Sequence, residues 1–241
     1  MGGLLAALVV AAVCVRVMAG DVSCSVCGRS GDAPYGMTLP DGRGVCQACS
    51  ATAVTDPEVA GGIFQNVVRM VEGILRLEVA RTDSIRLIHA DEMSRLSRVP
   101  SPRRGEGQGE GRREWTAGLF VRRTASSRRG DLQVAHDVYL LSGLPFKMAY
   151  GVLSHEYAHA WQAQNARPDL TDEAREGFAE WVAYKVLAFH NYTEEAERLK
   201  FKPAPYGTGL ARMLAIEAGS TDANGMIVPG GPESVIASVR R

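Results

Sequence analysis

Residues 155–159 read His-Glu-Tyr-Ala-His, and no other feature of the chain constrains its fold as tightly. Two histidines separated by three residues meet on one face only if the segment is helical, because positions i and i+4 differ by about 40° around a helix axis. Val152, Leu153 and Trp161 supply apolar positions on the remaining faces, which a buried helix requires. A pair of imidazoles so placed, with the carboxylate of Glu156 beside them, suits a zinc ion and a water that needs a base.

A hydrolytic zinc site takes three protein ligands and leaves one position open. Arg167-Pro168 stops the first helix, because the residue before a proline is pushed out of helical geometry. Thr171 is the expected N-cap of a second helix over residues 174 to about 189, with Asp172 and Glu173 at its positive end. His159 lies about 9 Å before the break and Glu176 about 7.5 Å after the new start, so antiparallel helices bring the two to similar height. Glu176 is therefore the predicted third ligand, ahead of Asp172, and Glu173 serves the helix dipole. Glu180, one turn further on the same face, is predicted to accept a proton from the outer nitrogen of His155 or His159; a surface carboxylate is the alternative. Tyr206, within Pro-Tyr-Gly-Thr-Gly, is the candidate donor to a developing oxyanion, with a packing role as the alternative.

A second metal pattern lies upstream. Cys24 and Cys27 are separated by two residues, as are Cys46 and Cys49, and eighteen residues lie between the pairs. Two residues between thiolates let both sulfurs turn onto one ion, so the four cysteines predict a closed structural zinc site that supplies folding energy to a module with little core. Disulfides are the alternative if the chain is exported. A redox role lacks the strand-and-helix context it needs.

The rest of the sequence sets the surroundings. With 27 basic and 27 acidic residues, the 241-residue chain is neutral, so neither a nucleic-acid binder nor an acidic tail protein is expected. Residues 95–130 nevertheless hold ten arginines against three glutamates, and residues 100–114 read as a solvated Arg/Gly-rich loop. The apolar run 4–15 is too short to cross a bilayer and suits a signal or targeting segment, which makes a secreted, periplasmic or membrane-associated location the expectation and a cytoplasmic one the alternative. Asp56-Pro57-Glu58 starts a helix reaching about residue 80; strands are expected at 84–89, 117–121 and 132–141, with a turn or short helix at 91–94. The strand at 117–121 is a candidate edge for an extended peptide. His89 and His136 lack partners at ligand spacing and read as structural.

Leu144-Pro145, the His-Glu-Tyr-Ala-His-Ala-Trp run, Glu176-Gly177 and Tyr206-Gly207-Thr208-Gly209 together resemble the C-terminal peptidase domain of the LIM-domain, ubiquitin-activated peptidases that limit organ growth in plants. The motif of two histidines and a glutamate is shared more widely by glutamate-zincins. The resemblance implies a zinc peptidase in which His155, His159 and Glu176 bind the metal and Glu156 is the base. It also implies an upstream LIM module, where this chain has cysteines for one zinc and not two. No ubiquitin-interacting helix is read ahead of those cysteines, and ubiquitin dependence is not the expectation. The expected architecture is α+β: a targeting segment at 1–20, a four-cysteine zinc module at 21–55 and a zincin-like peptidase domain at 56–241. Two zinc ions and a peptide or protein substrate follow from it. A catalytically silent zinc-binding adaptor is the rival, disfavoured by the intact Glu156, and a non-peptide amide substrate is a third reading.

Overall fold

The computed structural model describes residues 9–16, 24–29, 36–80, 84–97, 114–126, 132–221, 227–228 and 230–241. The loop expected at 100–114 lies outside them except for Glu114, as does most of the segment 1–20. The elements in chain order are β1 (Val9–Arg16), β2 (Met37–Thr38), β3 (Gly44–Val45), α1 (Gln47–Ser50), β4 (Ala53–Val54) and α2 (Pro57–Leu75). Then follow β5 (Ser84–Ile88), α3 (Ala90–Ser97), β6 (Glu114–Ser126), β7 (Leu132–Leu141), β8 (Leu144–Pro145) and α4 (Phe146–Asn165). The chain ends with α5 (Asp172–Phe189), α6 (Thr193–Leu199), α7 (Tyr206–Ala218), β9 (Ser220–Thr221), β10 (Ile227–Val228) and α8 (Pro232–Val239). This is the expected α+β class, with the four-cysteine cluster near its start able to form a zinc module.

Strands order as β1-β6-β7-β5, with β5 and β7 parallel and the other pairs antiparallel. The expected strand at 117–121 lies within β6, flanked by β1 on one side and β7 on the other, so among the described residues it is not an edge open to a peptide. The reason is a long-range pairing: Val9 to Arg16 run antiparallel to Arg122 back to Glu114. An apolar run as short as 4–15 does not reveal by itself whether it will be helix or strand.

Helix α4 lies at the centre. Every residue from Ala149 to Gln162 is buried, against β6 on one side and α2 and α5 on others. That explains why its sequence shows no clean apolar stripe: each face has a partner, and its polar residues Ser154, His155, Glu156 and His159 are buried with the rest. Tyr157 and Trp161 of α4 and Phe178 and Trp181 of α5 are among the largest buried side chains of the core, with Trp161 stacked on Phe178 at 5.2 Å. Thr171 caps α5, its hydroxyl accepting from the Ala174 N–H at 3.2 Å. Asp56 caps α2 in the same way, accepting from the Glu58 N–H at 2.7 Å, with Pro57 in the first turn.

The cysteine-bearing segment is fastened to the strand-and-turn that leads into α4. Ala53 and Val54 pair with Pro145 and Leu144, and the Phe146 N–H, at the unsatisfied start of α4, donates to the Thr52 carbonyl at 2.8 Å. The buried Arg43 guanidinium donates to the Ser142 carbonyl at 2.6 Å and pairs with Asp41, whose carboxylate in turn accepts from the Ala90 N–H at 2.9 Å. Gly143 adopts φ +87°, and a Cβ there would strike Leu39, so this contact depends on glycine twice over.

Candidate functional site

His155 Nε2 and His159 Nε2 stand 2.9 Å apart on one face of α4. Across the α4–α5 packing, Glu176 Oε2 lies 3.2 Å from the first nitrogen and 3.4 Å from the second. A tetrahedral zinc with nitrogen and oxygen ligands at about 2.0–2.1 Å has ligand–ligand edges of about 3.3 Å. Three acceptor atoms thus converge at the separation a metal ion sets, and the Glu176 oxygen is buried with no well-aligned donor to explain it. The residues fit zinc. Glu176 is the most open of the three at 14% exposed, so the cluster faces outward on its side.

The outer nitrogens of both rings face polar side chains. Glu180, predicted to face His155 or His159, is fully buried with its Oε1 3.0 Å from His155 Nδ1. His159 Nδ1 is held instead by Gln162 Oε1 at 2.8 Å, and the Gln162 amide donates on to the Arg175 carbonyl at 2.9 Å. Gln162 was not anticipated, although it stands one turn beyond His159 on the same helix, the signal that could have found it. Asp172 and Glu173 are in the first turn of α5; Asp172 pairs with Arg175 and does not join the cluster.

Glu156 is fully buried, and both of its carboxylate oxygens lack a well-aligned hydrogen-bond donor. Burial pushes its carboxyl up to about 8, against the pull of His155, with the Glu176 charge adding to the rise. Burial works against a charge on His155 too, but contacts with Glu176 and Glu180 more than offset it and raise that imidazole to about 9. Glu176 goes the other way. Its burial is outweighed by the charge of His159 and the bonds from both rings, and its carboxyl falls well below the usual range. A carboxylate held ionised and another held near neutrality, side by side, differ in what they can do: one binds a cation, the other exchanges protons.

Glycine makes the site possible at two places outside the motif. A Cβ at Gly118 of β6 would stand 2.4 Å from Val152 Cγ1 and 2.9 Å from Glu156 Oε1, so only glycine lets the strand pass over the Glu156 side chain. A Cβ at Gly177, next to Glu176, would stand 2.4 Å from the Gly209 carbonyl carbon, where α5 and α7 touch backbone to backbone. That crossing brings the first residue of α7, Tyr206, to 6.1 Å between its ring and that of His155. Tyr206 is therefore beside the cluster.

The four upstream cysteines also converge. Their sulfurs lie within 4.8 Å of one another, and the Cys27 and Cys46 sulfurs are 3.8 Å apart. A tetrahedron with metal–sulfur bonds of about 2.3 Å has edges of about 3.8 Å. None of the four forms a disulfide. Backbone amides of Val26 and Cys46 point at Cys24 Sγ at 3.4 and 3.3 Å, and such bonds, against burial, bring that thiol down to about 7. A thiol so held favours the thiolate that zinc requires. The two expected structural histidines take no part: His136 is buried near Gln164, and His89 is half exposed near Asp41.

No family model matches the chain, and no solved structure matches it. Among curated proteins, it is similar to Protein DA1-related 1 of Arabidopsis thaliana, 25% identical over 179 residues. The match covers 65% of this chain and 31% of that protein, so the chain spans about a third of the relative's length. This similarity points towards the family of that relative, and together with the His155, His159 and Glu176 cluster it is compatible with a zinc peptidase.

Proposed function

We propose that the chain is a zinc-dependent peptidase whose catalytic zinc is held by His155, His159 and Glu176. The observation that carries this reading is the convergence of two imidazole nitrogens and one carboxylate oxygen within 3.4 Å, with a buried carboxyl raised to about 8 on the same helix. Bound there, zinc would act as a Lewis acid that polarises the scissile carbonyl and makes water acidic enough to attack it.

The chain's own groups do the rest. Glu156 takes the proton of the attacking water at its carboxylate and hands it to the leaving amine, work suited to a group whose affinity for a proton lies close to neutral pH. Glu180 and Gln162 keep the His155 and His159 rings turned so that both Nε2 atoms face the cluster. Tyr206, beside His155, donates a hydrogen bond from its O–H to the negative charge that develops on the carbonyl oxygen. The four cysteines hold a second zinc that stays closed to substrate and keeps residues 24–29 and 36–54 folded against the start of α4.

Digestion of a broad peptide library by the wild type and by Glu156→Gln tests this reading. Cleavage products that appear only with the wild type are expected; identical product patterns would leave the zinc-binding adaptor as the better account.

A further inference from the structure

Behind the cluster, one oxygen serves two residues. Glu180 Oε1, on a side chain with 0% exposure, lies 3.0 Å from His155 Nδ1 and accepts from the Lys202 ammonium at 2.6 Å. Lys202 comes from the short connection between α6 and α7, outside every motif considered above, and its side chain is 25% exposed. The same ammonium stands 5.8 Å from the centre of the Tyr206 ring. Its backbone is fixed as well: a Cβ at Gly207 would strike the Lys202 carbonyl oxygen, so the first turn of α7 is pressed against this residue.

Charge explains why a cation belongs there. Glu180 is a fully buried carboxylate outside the group of three that can hold the metal, and an uncompensated buried charge is costly. Lys202 is its counter-ion. It also decides where Glu180 points, because a compact ammonium on a single oxygen fixes that oxygen in place, and that oxygen faces the outer nitrogen of His155.

We propose that Lys202 is a positioning residue of the metal centre: by anchoring Glu180, and compensating its buried charge, it holds the His155 ring with Nε2 directed at the cluster. This rests on the zinc reading above. It does not touch substrate or reacting atoms, and acts through Glu180.

The test is zinc affinity of the full chain, measured by competition with a chromophoric chelator, with the cysteine site as a constant second class of zinc in every variant. Lys202→Met should weaken the first class by about 10- to 100-fold, the range seen when the partner of a ligating histidine is removed. Lys202→Arg, which keeps the charge, should recover to within about fivefold of the wild type. In a Glu180→Gln background, Lys202→Met should add less than about threefold, because the residue through which Lys202 acts is already neutral. A folded Lys202→Met chain that binds zinc as the wild type does would overturn the proposal, as would a full penalty that persists with Glu180→Gln. If Lys202→Met alone does not fold, the comparison in the Glu180→Gln background decides, since the charge that Lys202 neutralises is absent there. Failure of the zinc reading is separate: it appears as a His155→Ala chain that binds as much zinc as the wild type.

Discussion

Gly177→Ala adds one methyl group at the place where α5 and α7 touch, and its cost can be worked from the contacts. The new Cβ would lie 2.4, 2.5 and 2.6 Å from the carbonyl carbon, Cα and oxygen of Gly209. Carbon atoms rest at about 3.5–4.0 Å, so the two helices must separate by about 1 Å, and because all three obstacles are backbone no side chain can turn aside. Overpacking of this kind costs about 1–3 kcal/mol, and rigid obstacles place it at the upper end. Exchanging glycine for alanine inside a helix returns about 1 kcal/mol. The net is a loss of about 2 kcal/mol, or a fall in Tm of about 4–8 °C for a chain of this size. Gly73 of α2 provides the control: a Cβ there meets nothing within 4 Å, so Gly73→Ala should raise stability by up to about 1 kcal/mol. Thermal melts followed by circular dichroism at fixed zinc read both. A Gly177→Ala chain melting at or above the wild-type temperature would refute the backbone-on-backbone crossing and, with it, the account of how Glu176 and Tyr206 reach the cluster.

Gly118→Ala should lower kcat by about tenfold or more with zinc content unchanged, because the added Cβ displaces the Glu156 carboxylate and not a metal ligand; peptidase kinetics with metal analysis checks it, and a kcat equal to wild type would remove β6 from the site. Tyr206→Phe should lower kcat by about tenfold with KM and zinc content nearly unchanged, and an unaltered kcat would confine Tyr206 to packing. Asp41→Asn should destabilise the chain by about 2 kcal/mol at pH 6, where the charged bond to Arg43 is complete. Although burial opposes it, the Ala90 N–H and Arg43 hold the Asp41 carboxyl below its ordinary range in the folded state. Its contribution is therefore present in full above about pH 4–5 and lost as pH falls through the depressed value. Urea melts should show the gap between wild type and Asp41→Asn narrowing below about pH 4, and a gap that widens there would contradict the assignment.

What could be read from the sequence was what depends on local spacing. Three residues between His155 and His159, two between the cysteines of each pair, and the Pro168 break followed by the Thr171 cap each fix geometry within a turn or two. Glu176 was within reach because a helix break converts sequence distance into height. Gly118, Gly177 and Lys202 were not, since their roles depend on which element crosses which. The edge assigned to residues 117–121 failed for the same reason: its partner, β1, lies about a hundred residues away in an apolar run whose conformation periodicity does not settle. The polar side chains of α4 gave no warning of their burial, because a helix enclosed on every face has no stripe to read.

Metal analysis of the wild type and His159→Ala, purified without added zinc, tests the central claim most directly. The account predicts two zinc ions per wild-type chain and one in His159→Ala, since the cysteine cluster and the His155, His159 and Glu176 cluster share no ligand. The remaining zinc should resist mild chelation, and its removal should unfold the cysteine segment. An equal zinc content in the two proteins would contradict the account, because the site on α4 would then not be the one that binds metal.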